Sequence, residues 1–126
     1  MGTIRSVWIE ILALGLTALG TILALWGRLC LGRMATTILT IVEGHSLYNQ
    51  GPYQFIRHPI YSGFALAFLG HQVAFLFIPG LVLWYLFIAF YLHNRIQVEE
   101  EMLAQQFHGD YLEYQKQTWR MFPYVY

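Results

Sequence analysis

Between Pro59 and Asn94 the chain contains no Asp, Glu, Lys or Arg. At 1.5 Å per residue a helix of that length would overrun a single bilayer core of about 30 Å. Pro79-Gly80 divides the run near its middle. The pattern predicts a tight helical hairpin, with one span over about 59–78 and another over about 81–97. Ile11 to Gly27 is also uncharged and makes a helix of about 25 Å, with Trp8 and Trp26 near its ends where interfacial aromatics are favoured. It predicts a span over about 7–31. Composition agrees: 57% of the 126 residues are hydrophobic and 11% charged, against about 25% charged in soluble domains. The expected fold is an all-α integral membrane protein of one domain, residues 1–126. It has about three transmembrane helices, including the hairpin, and a cytoplasmic amphipathic C-terminal helix.

The other segments bound the remaining possibilities. Val7 to Leu31 is too long for a signal-peptide core and lacks a small-residue cleavage site behind it. Met1-Gly2-Thr3-Ile4-Arg5-Ser6 fits the myristoylation pattern, although a span directly behind it makes a lipid redundant. A formal net charge of zero argues against nucleic acid as a partner. The single Cys30 excludes an intrachain disulfide and, between Leu29 and Leu31, reads as a buried apolar thiol. Residues 32–58 read as a loop at the membrane face. Thr36 to Val42 is rich in β-branched residues, and Asn49-Gln50-Gly51-Pro52 is turn-rich. Leu103, Phe107, Tyr111 and Tyr114 recur at helical spacing and predict an amphipathic surface helix over 99–122, ended by Pro123. Arg28, Arg33, Arg57, Arg95, Lys116 and Arg120 fall on one side of the three-span arrangement and Arg5 on the other. The positive-inside rule puts the loop and the C-terminus in the cytoplasm.

Three segments carry residues with chemistry. In Arg57-His58-Pro59-Ile60-Tyr61-Ser62-Gly63 the proline disfavours helix at His58 and suits the first turn of a helix. The N–H groups of that turn favour an anion, and Arg57 and His58 add donors. Gly63, Ala67, Gly70 and Ala74 make a stripe of small residues, most simply a helix-packing face. Arg95 and Glu99 lie four apart on one helical face, which on its own is an ordinary interfacial ion pair. A hairpin brings this pair back to the level of His58. Glu43-Gly44-His45-Ser46-Leu47, followed by Gly51-Pro52-Tyr53, is the third segment; a lone loop histidine is usually structural.

The ordered set His45-x-Leu47, Gly51-Pro52-Tyr53, Arg57-His58-Pro59-x-Tyr61-x-Gly63, Gly70-x-Gln72-Val73 and Arg95-x-x-x-Glu99-Glu100 resembles the isoprenylcysteine carboxyl methyltransferase family. Related phospholipid methyltransferases share part of it. Phe107, Tyr111-Leu112-Glu113-Tyr114 and Pro123 are similar to that family's C-terminal helix, so the resemblance runs from about Leu31 to Pro123. It implies an S-adenosylmethionine-dependent methyltransferase with its active site on the cytoplasmic face. By position it implies cofactor contacts at His45, Ser46, Leu47, Tyr48, Tyr53, His58, Pro59, Ile60 and Tyr61. Acceptor handling falls to Arg95 and Glu99, and no metal is implied. The acceptor implied is lipid-like or prenylated, bearing a carboxylate, or else an amine or thiol with Glu99 as proton acceptor. Membrane lipids are the other expected partner, with room left for a homo-oligomer. The chain departs from the family in having one span before the motif where more are usual, and Phe107-His108-Gly109 where a Phe-Gly pair is usual.

Two other readings compete. Sterol-type membrane reductases that use NADPH look similar around the Arg-His-Pro segment, but three glutamates follow Arg95 closely, a poor setting for an extra nucleotide phosphate. A small non-catalytic membrane scaffold would also accommodate the ion pair and the small-residue stripe.

Overall fold

The computed structural model describes residues 2–32, 47–75 and 78–125. Among them the chain is helical with no strand. The helices are α1 (Gly2–Leu31), α2 (Pro59–Phe75), α3 (Ile78–Phe107) and α4 (Gly109–Gln117), with a short 3-10 turn (Gly51–Gln54) before α2. Within α1 and α3, Val7–Leu31 and Pro79–Phe107 are long and apolar enough to cross a membrane. Their outward faces are bare: Leu14 is 76% exposed and Phe90 72%. Side chains of that kind belong against lipid rather than water.

α1 and α2 pack antiparallel, and small residues decide how closely. A Cβ on Gly63 would stand 2.5 Å from the Ala24 amide nitrogen, and one on Gly70 would stand 2.5 Å from the Ala13 carbonyl oxygen. A Cβ on Gly20 would strike the backbone of Ala67. The stripe predicted on α2 is therefore a packing face, with backbone meeting backbone as in other membrane helix pairs. Thr17 spends its hydroxyl on the Ala13 carbonyl one turn back, at 2.8 Å. α2 and α3 meet more loosely, through side chains. Phe68 stacks on Trp84 with centroids 4.4 Å apart, and the Tyr85 hydroxyl donates to the Ala65 carbonyl at 3.3 Å.

Several boundaries differ from the sequence reading. α2 is described to Phe75, and residues 76–77 before the predicted end at 78 lie outside the described residues. Pro79 does not separate the helices: it lies in the first turn of α3, where its missing N–H costs no bond. The predicted break between a span ending at 97 and a helix over 99–122 is absent. α3 continues to Phe107, because no Gly or Pro interrupts it after Gly80. At 30 residues it is about 45 Å long, so its C-terminal end projects well beyond a bilayer core. The break comes at His108, which holds a positive φ of 47° uncommon for a residue with a side chain. α4 then ends at Gln117, not at 122. The next residues run beside the entry to α2 in a short parallel bridge between Ile56 and Trp119. Three backbone bonds make it: Trp119 N–H to Phe55 O at 2.9 Å, Arg57 N–H to Trp119 O at 2.8 Å, and His58 N–H to Arg120 O at 3.0 Å.

Cys30 is half-buried rather than enclosed, and it explains a glycine. Gly51 has φ +59°, and a Cβ there would come within 2.8 Å of the Cys30 sulfur. Both the turn and the close approach exclude a side chain. The β-branched stretch 36–42 lies outside the described residues.

Candidate active site

Buried polar groups gather at the end of the molecule where α2 begins and α3 leaves the apolar zone. His58, Ser62 and Glu100 are each at most 5% exposed. Pro59 starts α2, so the amides of Ile60 and Tyr61 belong to its first turn and have no intrahelical acceptor. Ser62 donates to the Met121 carbonyl at 2.6 Å, which fastens the tail to this turn.

Glu100 is the hub of one cluster. Its Oε1 lies 2.8 Å from Arg57 Nε and 3.2 Å from His58 Nε2, and its Oε2 lies 2.8 Å from an Arg120 Nη. Arg57 Nη1 also donates to the carbonyls of Gln115 and Thr118. Arg57 is thus committed to holding α3, α4 and the tail together, and is not an open donor beside the helix terminus. The histidine ring is likewise engaged on one nitrogen by Glu100.

A second cluster faces the gap between α2 and α3. Arg95 Nε donates to the Tyr61 hydroxyl at 2.9 Å, and that hydroxyl donates to Glu99 Oε2 at 3.0 Å. Tyr61 therefore stands between the two residues whose four-residue spacing marked them as a pair. Glu99 Oε1 is 4.0 Å from His58 Nδ1, and the His58 ring stacks on Tyr61 with centroids 5.7 Å apart. Glu99 keeps 29% of its side chain exposed, so this cluster is open where the Glu100 cluster is closed.

The loop before α2 adds aromatic walls. Tyr48 meets Tyr53 edge-on at 5.6 Å. Tyr53 is buried, donates through its hydroxyl to the Gly27 carbonyl at 3.4 Å, and accepts on its own carbonyl from the Tyr114 hydroxyl at 2.6 Å. Burial pushes the Tyr114 phenol up to about 12 and raises Tyr53 as well, so both remain neutral donors near pH 7. Leu47 and Tyr48 are half-buried in this loop. His45 and Ser46 lie outside the described residues.

From Tyr61 and Arg95 an apolar cavity of about 210 Å³ runs between α2 and α3, lined by Phe64, Ala65 and Phe68 on one side and Trp84, Ile88 and Leu92 on the other. It is smaller than the usual ligand pocket of about 300–1,000 Å³. Phe64 at its edge is 60% exposed, so the cavity is a groove open to the lipid side.

Of the residues singled out by sequence, the structure brings Tyr61, Arg95, Glu99 and His58 together, with Pro59 and Ile60 on the same helical turn. Tyr48 and Tyr53 stand as a separate pair in the loop. Sequence reasoning missed Glu100 and Arg120 as partners of His58 and Arg57. The available signal was helical period: Ile96 and Glu100 share the face next to that of Arg95 and Glu99, and Ile96 is fully buried.

Such a fold and site define a helical integral membrane protein with a polar centre at the end of its spans and an apolar groove leading away. The chain belongs to the phospholipid methyltransferase family, whose model matches residues 8–110. Protein-S-isoprenylcysteine O-methyltransferase B of Arabidopsis thaliana is 32% identical over 120 residues, covering 94% of this chain and 61% of that protein. The Saccharomyces cerevisiae protein-S-isoprenylcysteine O-methyltransferase is 29% identical over 123 residues, covering 86% of this chain and 49% of that one. Among solved structures, the eukaryotic intramembrane Ras methyltransferase ICMT matches with a TM-score of 0.87 at 26% identity, over 94% of this chain and 43% of that one. The chain thus spans between about two fifths and two thirds of the length of the proteins it matches.

Proposed function

We propose that this chain transfers a methyl group from S-adenosylmethionine to the carboxylate of a prenylated or lipid-like acceptor, at the cytoplasmic membrane face. One observation carries the reading: the Arg95–Tyr61–Glu99 chain of hydrogen bonds sits at the head of an apolar groove and beside the first turn of α2. A polar head and an apolar tail are accommodated together.

The residues present suit the cofactor. The Ile60 and Tyr61 amides at the start of α2 favour its carboxylate. The Tyr48, Tyr53 and Tyr61 rings and the Glu99 carboxylate suit a sulfonium cation. When bound, the cofactor supplies an electrophilic methyl carbon. The chain's own part is positioning. Arg95 would hold the acceptor carboxylate with one oxygen directed at the methyl group that the bound cofactor would supply. An ionised carboxylate needs no base, so Arg95 contributes orientation and the groove contributes exclusion of water. Tyr61 fixes the guanidinium through its hydroxyl, and Glu99 fixes Tyr61. For an amine or thiol acceptor, Glu99 would take the proton. Glu99, Glu100 and Glu101 oppose the extra phosphate that a reductase would have to bind.

The clustering of basic residues at this end of the helices supports a cytoplasmic face by the positive-inside rule. Methyl transfer to an S-farnesylated cysteine, followed with purified protein in lipid nanodiscs, tests the reading. Wild type is expected to turn over, and Arg95→Ala to retain cofactor binding with transfer abolished. A wild-type protein that binds neither S-adenosylmethionine nor its demethylated product would overturn it.

A further inference from the structure

Arg120 grips His58 twice. Its carbonyl accepts from the His58 backbone N–H at 3.0 Å, and its guanidinium lies 2.8 Å from Glu100 Oε2. Glu100 in turn meets the His58 ring, Oε1 to Nε2 at 3.2 Å. Tail backbone, tail side chain, carboxylate and imidazole form a closed circuit that returns to the residue where it began. The circuit is anchored on both sides. Arg57 N–H donates to the Trp119 carbonyl at 2.8 Å, one residue before Arg120, and the Ser62 hydroxyl donates to the Met121 carbonyl at 2.6 Å, one residue after it.

The two oxygens of Glu100 have different duties. Oε1 takes Arg57 Nε and His58 Nε2, and Oε2 takes Arg120. A bond to Oε2 fixes the rotation of the carboxylate and keeps Oε1 turned toward the ring. Burial alone would push the Glu100 carboxyl up, but hydrogen bonds from His58 and Arg57 hold it down at about 2, so it is ionised near pH 7. An ionised carboxylate only accepts, so Nε2 carries a proton whether the ring is neutral or charged. Nδ1 is then the nitrogen that faces the open cluster, 4.0 Å from Glu99 Oε1. The stack of the ring on Tyr61, with planes 24° apart, would survive a turn of the ring that exchanged the two nitrogens. The choice between them falls to Glu100, and through it to Arg120.

We infer that Arg120 is a positioning residue: by clamping Glu100 it fixes the His58 ring with Nδ1 toward the cofactor side, and so strengthens cofactor binding from the tail. The inference rests on the proposed methyl transfer for the identity of the cofactor, whereas the setting of the ring does not depend on it.

Side-chain nitrogen NMR of the histidine-labelled full chain in nanodiscs at alkaline pH reads the tautomer, with His58→Gln identifying the resonance. The wild-type ring is expected to be protonated on Nε2. A ring protonated on Nδ1 overturns the circuit, and this decides even where a variant does not fold. Arg120→Gln is expected to give a mixture of tautomers. It should weaken S-adenosylmethionine and its demethylated product by about tenfold, the scale of one hydrogen bond to a charged group. KM for an S-farnesylated cysteine should stay within about twofold. Arg120→Lys should recover most of the affinity, because an ammonium still meets Oε2. In a His58→Gln background, Arg120→Gln should add less than about twofold, since the ring it positions is gone. Trp119→Ala loosens the same tail without entering the circuit; it should lower the thermal midpoint and leave tautomer and cofactor affinity as in wild type. An unchanged tautomer and affinity in folded Arg120→Gln, a full further loss in the His58→Gln background, or an equal loss in Trp119→Ala overturns the positioning role. A ring released by Arg120→Gln in a protein that binds no S-adenosylmethionine would sink the proposed reaction and leave the setting of His58 standing. Intact binding and transfer with a ring indifferent to Arg120 would do the reverse.

Discussion

Glu100 accepts from Arg57, His58 and Arg120 while almost wholly withdrawn from solvent. A buried carboxylate of this kind is tolerated only because its lone pairs are met, and removing its charge strands the Arg57 guanidinium, itself 9% exposed. Glu100→Gln is expected to cost about 3–5 kcal/mol, read as a fall in the thermal midpoint in detergent. Glu101→Gln, on an exposed neighbour, should change stability by less than about 0.5 kcal/mol. Equal midpoints for the two variants would show that the cluster does not hold the fold. Tyr61→Phe makes a sharper point about chemistry. It keeps the ring and deletes the hydroxyl between Arg95 and Glu99, a hydrogen bond to charge on each side. Acceptor kcat/KM should drop by about 10- to 100-fold with the fold intact, and an unchanged value would release Arg95 from the acceptor role. The Arg95–Glu99 relation was legible in sequence because four-residue spacing is a local signal. Tyr61 as the bridge was not, because it lies 34 positions from Arg95 and 38 from Glu99, and the motif's Glu100 had no partner legible in sequence because Arg57, His58 and Arg120 all stand far from it along the chain.

Helix contacts separate two kinds of glycine. Gly63 sits where backbone meets backbone, whereas a Cβ on Gly15 would meet nothing within 4 Å. Gly63→Ala should force α1 from α2 and lower the thermal midpoint by several degrees. Gly15→Ala should be neutral or stabilising by up to about 1 kcal/mol, from helix propensity alone. A harmless Gly63→Ala would mean that the two helices do not pack this closely in the membrane. The small-residue stripe was readable from spacing alone, though not which helix it would meet. The apolar runs located α1, α2 and the first part of α3 well, since a bilayer demands them. The end of α3 was misjudged because a change from apolar to charged composition was taken for a change of element. Helical hydrogen bonding carries on across that boundary, as nothing in Arg95 to Phe107 stops it, and the real break waits for His108 and Gly109.

At the scale of the molecule, the beginning of α2, the end of α3 and the tail all meet at one end. Residue Asn49 and residue Glu113 must then face the same compartment. In a Cys30→Ala background, Asn49→Cys and Glu113→Cys should label from the same side of sealed vesicles, and Thr3→Cys from the opposite side. Labelling of Asn49→Cys and Glu113→Cys from different sides would divide Arg95 from His58 and dismantle the site. The short bridge that aligns Trp119 and Arg120 with Phe55, Arg57 and His58 bears also on biosynthesis. Trp119, Arg120 and Met121 follow α1, α2 and α3 in chain order. A ribosome delivers α1, α2 and α3 to the bilayer while those residues are still in its exit tunnel. Insertion therefore precedes assembly of the polar centre, and a nascent chain with its helices in place is not yet complete, because Glu100 must wait for Arg120 and Ser62 for the Met121 carbonyl. Completion of the polar centre waits for residues 119–121, so a chain stalled or terminated before them would reside in the membrane with that centre unfinished.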